Sequence, residues 1–158
     1  MLGRVPTRDV SSLDDVIAFV ASLESEQVII FDVDNTVAAQ GTPVEEFGLL
    51  VNAAIDRFEA SSNVARVIAL TNGSQRQVAR LVSSGNKPFT TRRRLGLRGT
   101  RAPIVVVGDQ VLTDGLLAWR LGATFLHLVI DDETEERDQA IMRRLGNIVG
   151  GMFLRRQS

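Results

Sequence analysis

Three short apolar runs in this chain each end abruptly in side chains that can bind or react. Val28-Ile29-Ile30-Phe31 leads into Asp32-Val33-Asp34-Asn35-Thr36, Val67 to Leu70 into Thr71-Asn72-Gly73-Ser74, and Ile104 to Val107 into Gly108-Asp109-Gln110. If the runs are parallel strands, their polar ends converge on one crevice beyond the carboxyl edge of the sheet, where open α/β sheets bind ligands. An Asp-x-Asp pair alone means little, since 11 Asp among 158 residues give about 0.8 such pairs by chance. Placement and order carry the inference. A second signal is the balance of 17 Arg against a single lysine, Lys87. Arg and Lys interchange on most solvated surfaces, so so biased a chain keeps a Lys where a compact ammonium is wanted.

The elements that must position these groups follow from period. Amphipathic helical segments alternate with short continuous apolar runs, the pattern of a buried parallel sheet. A helix is predicted from about Ser12, with Ser12 and Asp15 spaced as a capping box, and a strand from Gln27 to Asp32. A helix from Pro43 to about Ser61 carries Phe47, Leu50, Val51, Ala54, Ile55 and Phe58 inward. Val64 to Leu70 form a strand, Ser74 to Ser83 a helix, and Pro88 to Leu95 a looser arginine-rich helical segment. Ile104 to Val107, a helix from Val111 to Leu121 stopped by Gly122, and a strand from Ala123 to Ile130 complete a core of about residues 12 to 130. A C-terminal helix is predicted over about 134 to 154. Right-handed crossovers then give a three-layer α/β domain, a doubly wound parallel sheet with helices on both faces.

Bulk properties exclude several classes. A chain of 158 residues with 44% hydrophobic content suits one globular domain, 1–158, with a sizeable core. It has no cysteine, which rules out a disulfide framework or thiolate zinc site. A net charge of −1 gives no global field for nucleic acid, so no specific nucleic-acid partner is expected. Apolar stretches reach about seven residues against the ~20 of a membrane span, and Met1 to Asp15 lacks a targeting pattern. The expected location is the cytoplasm, with a peripheral membrane contact left open.

In order and placement, Asp32-Val33-Asp34-Asn35-Thr36, Thr71, Lys87, and Gly108-Asp109 with Asp114 resemble the four motifs of the haloacid dehalogenase (HAD) superfamily of aspartate-nucleophile phosphatases. The resemblance covers about residues 27 to 130. Lys87-Pro88 followed by Val107-Gly108-Asp109-Gln110-Val111-Leu112-Thr113-Asp114 is similar to the YqeG-like, type IIIA branch, which includes phosphatidylglycerophosphate phosphatases. Two features depart from that branch: Thr71-Asn72-Gly73 stands where Ser-Asn-Asn is more usual, and the stretch from Thr71 to Lys87 is short.

The resemblance implies roles that match what phosphoryl transfer needs: a nucleophile, a proton donor for the leaving oxygen, and positive charge around the equatorial oxygens. Asp32 would attack phosphorus to form an aspartyl-phosphate, and Asp34 would protonate the leaving group and then activate water. Thr71, Asn72 and Lys87 would bind the phosphoryl group. Magnesium is the implied cofactor, held by Asp32, Asp109 and the main-chain oxygen of Asp34, with Asp114 anchoring Lys87 or a metal-bound water. The alternative for Asp114 is a first-turn carboxylate favourable to a helix dipole.

Cap domains set substrate choice in many HAD phosphatases, and the spacings here leave no room for one. Residues 35 to 70 number 36 and residues 72 to 86 only 15. A capless site admits a bulky phosphorylated substrate, such as an anionic lipid head group at a membrane surface. Arg92, Arg93, Arg94, Arg98 and Arg101 could meet such a group or form a solvated face. Ile141, Leu145, Ile148, Val149, Met152 and Phe153 share a helical face that packs on the domain, on a second subunit, or at a membrane interface, so a homo-oligomer is compatible. Asp131, Asp132, Glu133, Glu135 and Glu136 read as a solvated turn, and His127 as a structural residue in a strand. The expected activity is magnesium-dependent phosphomonoester hydrolysis, with phosphatidylglycerophosphate as the substrate the resemblance favours. A phosphoprotein, nucleotide or nucleic-acid end is the alternative within that mechanism. A non-catalytic phosphate-binding or phospho-accepting domain, comparable to a response-regulator receiver, is the alternative outside it.

Overall fold

A computed structural model describes residues 3–34, 36–38, 42–72, 80–83, 87–129, 146 and 149–156. Seven strands form one sheet: β1 (Val5–Val10), β2 (Gln27–Asp32), β3 (Val64–Thr71), β4 (Leu81–Ser83), β5 (Ile104–Gly108), β6 (Thr124–Leu128) and β7 (Leu154–Arg156). Their order across the sheet is β4-β3-β2-β5-β6-β1-β7, and every pairing is parallel. Helices α1 (Leu13–Ala21), α2 (Val44–Glu59) and α3 (Leu116–Leu121) flank it.

The continuous apolar run of β2 is explained by burial on both faces. Ile29 and Phe31 pack with Val16 and Val20 of α1 and with Phe47, Val51, Ile55 and Phe58 of α2. Val28 and Ile30 pack on the other face with Leu117, Ala118 and Leu121 of α3 and with Leu95 and Leu97. Each such Val, Ile, Leu or Phe side chain contributes about 1.5–3 kcal/mol when fully buried. Ser12 caps α1, its hydroxyl accepting the Asp15 amide at 3.1 Å, while the Asp15 carboxylate turns back to Ser11 Oγ at 2.6 Å. That cap removes one unsatisfied amide from the helix start. Gly122, at φ +65°, ends α3 in a left-handed conformation that suits glycine.

Four expectations are corrected. The core does not begin near residue 12, because β1 lies inside the sheet between β6 and β7. Its sequence, Val-Pro-Thr-Arg-Asp-Val, hides that position by mixing Pro6, Arg8 and Asp9 into the strand. Leu81 to Ser83 end no helix but form β4, an edge strand of three residues beside β3. Residues 88 to 95 form no continuous helix: a 3₁₀ turn spans Lys87–Phe89, hydrogen-bonded turns occupy residues 92–96, and Leu95 and Leu97, two apart, both enter the core. Between them Gly96 sits at φ +66°, a conformation that stops a helix.

The fourth correction is at the C-terminus. Residues 149–153 are helical, but Leu154 begins β7 beside β1. Ile141, Leu145, Ile148 and the acidic residues 131 to 136 lie outside the described residues. Of the expected apolar face, Phe153 is buried against the core and touches Trp119 (6.3 Å between ring centroids), whereas Met152 is exposed. Gly146 and Gly150 allow close contact with Val111: a Cβ on Gly150 would stand 2.9 Å from Val111 Cγ1. No helix among the described residues is long and apolar enough to cross a membrane.

Candidate active site

Parallel strands bring their carboxyl ends to one edge, and there β2 ends in Asp32, β3 in Thr71 and β5 in Gly108. One register row crosses the sheet at that edge. Asp32 is opposite Leu70, Phe31 and Val107 pair one residue before Asp32 and Gly108, Gly108 is opposite His127, and His127 is opposite Asp9. Alternation along β2 points Asp32 to the face that carries Val28 and Ile30.

Lys87 is fixed at both ends. Its backbone amide donates to Asn72 Oδ1 at 2.8 Å. Its ammonium lies 2.6 Å from Asp32 Oδ2 and 2.9 Å from Asp114 Oδ1, in a cluster whose three side chains are at most 3% exposed. The single lysine therefore bridges two buried carboxylates, a position where Arg would need more room and different geometry. Asp32 Oδ1 meanwhile accepts the Val33 amide at 2.8 Å.

Asp114 reaches this place through an irregular turn. The predicted helix from Val111 is divided into a π turn, Val111–Gly115, and α3. Such wide turns are frequent at functional sites. The Asp114 carboxylate lies directly over Gly108, where a Cβ would stand 2.7 Å from Asp114 Cβ and closer still to the carboxylate itself. Gly108 is thus the gap in the register row through which Asp114 reaches Lys87. Asp114 Oδ2 also accepts the Gln110 amide at 3.2 Å. Its burial sets it apart from a solvated first-turn carboxylate.

Carboxylate oxygens of Asp32, Asp109 and Asp114 lie within 4.8 Å of one another. Burial first, and then the charge of Asp114, push Asp32 well above the ordinary carboxylate value, against the pull of Lys87. Burial likewise raises Asp114, opposed by Lys87. Burial works against the charge of Lys87, but Asp114 and Asp32 outweigh it and hold the ammonium above the ordinary lysine value. When ionised, three carboxylates against one ammonium leave two excess negative charges. An all-oxygen set with that excess fits a hard divalent cation such as magnesium, which commonly binds through few carboxylates and keeps several waters.

The remaining expected residues take other places. Asp34 Oδ2 accepts the Thr71 hydroxyl at 2.6 Å, which ties the ends of β2 and β3 together. The carboxylates gathered for a cation are thus those of Asp32, Asp109 and Asp114, while that of Asp34 turns to Thr71. Asn72 holds the backbone of Lys87, and Thr36 Oγ1 is buried without a hydrogen-bond partner among the described residues. Asn35 lies outside the described residues. The arginines at 92, 93, 94, 98 and 101 are exposed, and Arg92 donates to the Leu121 carbonyl at 2.8 Å.

Sequence reasoning missed Asp9 and the part played by His127. The ring bridges Asp9 Oδ1 (Nδ1, 3.0 Å) and the main-chain oxygen of Asp109 (Nε2, 3.2 Å). A lone histidine in a strand carries no such signal unless β1 is recognised beside it. Comparison with protein-family models, curated proteins and solved structures finds no match to this chain.

Proposed function

We propose that this chain is a capless, magnesium-dependent phosphatase of the HAD type, built on a doubly wound sheet and cleaving phosphomonoesters through an aspartyl-phosphate. The observation that carries the reading is the Asp32–Lys87–Asp114 cluster, with Asp109 beside it, buried at the carboxyl edge of β2 and β5. In support of a capless site, residues 42–71 between the first two motifs are occupied by α2 and β3 and their connections.

Asp32 attacks phosphorus as a carboxylate and the leaving oxygen departs on the opposite side. Asp34 protonates that oxygen and then takes a proton from the water that releases phosphate from Asp32. Thr71 orients Asp34 through its hydroxyl, and the Lys87 ammonium balances charge on the phosphoryl oxygens. Asp114 and Asn72 hold Lys87 at its two ends. When bound by Asp32, Asp109 and Asp114, a magnesium ion would offset the excess negative charge that otherwise opposes an ionised nucleophile facing an anionic substrate.

The substrate favoured by the motif resemblance is phosphatidylglycerophosphate, and an uncapped edge suits a head group presented at a surface. The test is phosphate release from p-nitrophenyl phosphate and from phosphatidylglycerophosphate in mixed micelles, with and without Mg²⁺. The expected result is Mg²⁺-dependent release with preference for the lipid. Turnover of the simple ester alone would reject the lipid, and no turnover of either would reject the phosphatase reading for these substrates.

A further inference from the structure

The register row that carries Asp32 and Gly108 continues for two strands beyond them, to His127 of β6 and Asp9 of β1. Asp109 follows the last residue of β5, so its carbonyl stands past the pairing of Gly108 with His127. There the His127 ring takes over, with Nε2 3.2 Å from the Asp109 oxygen. On its other side Nδ1 lies 3.0 Å from Asp9 Oδ1, and Arg156 of β7 approaches the second Asp9 oxygen at 3.9 Å. The ring thus spans two oxygens, one a carboxylate and one a main-chain carbonyl, with one ring nitrogen facing each. The ring is 10% exposed and leans on Phe125, with centroids 5.8 Å apart, which limits its rotation.

We propose that His127, oriented by Asp9, is a positioning residue of the candidate site: it holds the main-chain oxygen of Asp109 and thereby sets where the Asp109 carboxylate stands relative to Asp32 and Asp114. A buried histidine needs hydrogen-bond partners anywhere in a fold. Here the partner is the backbone of a residue in the proposed cation set, one position beyond the last paired residue of β5. The inference rests on reading Asp32, Asp109 and Asp114 as cation ligands. It adds that β1 and β6, which carry none of those ligands, fix the geometry of one of them.

The test measures Mn²⁺ binding to the full chain by electron paramagnetic resonance, comparing wild type with His127→Asn, His127→Gln and Asp9→Asn. The Gln amide nitrogen reproduces the position of Nε2, whereas the Asn nitrogen reproduces Nδ1 and removes the bond from residue 127 to the Asp109 carbonyl. Outer-sphere partners of this kind typically change metal affinity by about 10–100-fold. His127→Asn should therefore bind Mn²⁺ about 10-fold or more weakly, His127→Gln should stay near wild type, and Asp9→Asn should fall between. Thermal melts should be alike for the Asn and Gln variants, and in turnover the Asn variant should need more Mg²⁺ while keeping its kcat at saturation. Equal affinity in the Asn and Gln variants would overturn the positioning role while leaving the cation site standing. Wild-type protein that binds no Mn²⁺ would overturn the cation site and this inference together.

Discussion

At the residue scale the central feature is a lysine shared by two buried aspartates. Lys87→Met would leave Asp32 and Asp114 without their counter-charge, and breaking a buried pair in this way costs about 3–5 kcal/mol. Chemical denaturation should show that loss, and activity should disappear with it. Asp34→Asn should leave the fold intact and lower kcat by about 10²–10⁴-fold, the range for losing a general acid–base group. Unchanged turnover would remove Asp34 from that role. A phospho-accepting regulatory domain needs no such acid beside its aspartate, so equal labelling and equally slow phosphate release in Asp34→Asn and wild type would favour that class.

Asp32 also gives a pH signature. Its folded pKa is raised, chiefly by burial, so its contribution to stability is present below the unfolded value and is lost as pH rises through the folded one. Without metal, Asp32→Asn should melt at a higher temperature than wild type near pH 7.5. That advantage should shrink as pH falls toward the ordinary carboxylate range, because wild-type Asp32 then becomes neutral as well. Thermal denaturation at several pH values checks both parts. A variant less stable than wild type across the whole range would contradict the reading of a buried site with excess negative charge.

At the element scale the site depends on a turn and a missing side chain. Gly108→Ala places a methyl group where the Asp114 carboxylate lies, so the carboxylate must leave Lys87 or β5 must shift. The expected outcome is a melting temperature several degrees lower and a loss of turnover exceeding that of an alanine placed elsewhere on β5. Wild-type activity in this variant would show that Asp114 need not sit over the strand. The sequence did not reveal this arrangement. Asp114, five residues past Asp109, could be read as a lysine anchor or as a first-turn carboxylate, and only the π turn and the gap at Gly108 separate the two. By contrast, β2, β3 and β5 were legible because each is a continuous apolar run ending in polar residues. Helix α1 was legible from Ser12, and α2 from its apolar face. The strands β1, β4 and β7 were not, since two are three residues long and the third contains proline and charge.

At the scale of the whole molecule, five C-terminal strand ends bring Thr71, Asp32, Asp109, His127 and Asp9 along one edge. The convergence of the first three could be anticipated from parallel-sheet topology, but the extension to Asp9 required knowing that an N-terminal segment inserts beside β6. Binding a cation across this edge should stabilise the whole domain. At about 100 times its dissociation constant, a ligand adds about 2.7 kcal/mol to folding stability, so Mg²⁺ should raise the melting temperature by several degrees. Asp32→Asn should reduce that shift, and an equal shift in both proteins would place Mg²⁺ elsewhere.

The proposed chemistry turns on Asp32 carrying the phosphoryl group. It is tested most directly by acid-quenching the protein during incubation with substrate and Mg²⁺ and locating phosphate by peptide mass spectrometry. Phosphate is expected on the peptide containing Asp32, more of it in Asp34→Asn than in wild type, and none in Asp32→Asn. Phosphate on another residue, or undiminished turnover by Asp32→Asn, would contradict it.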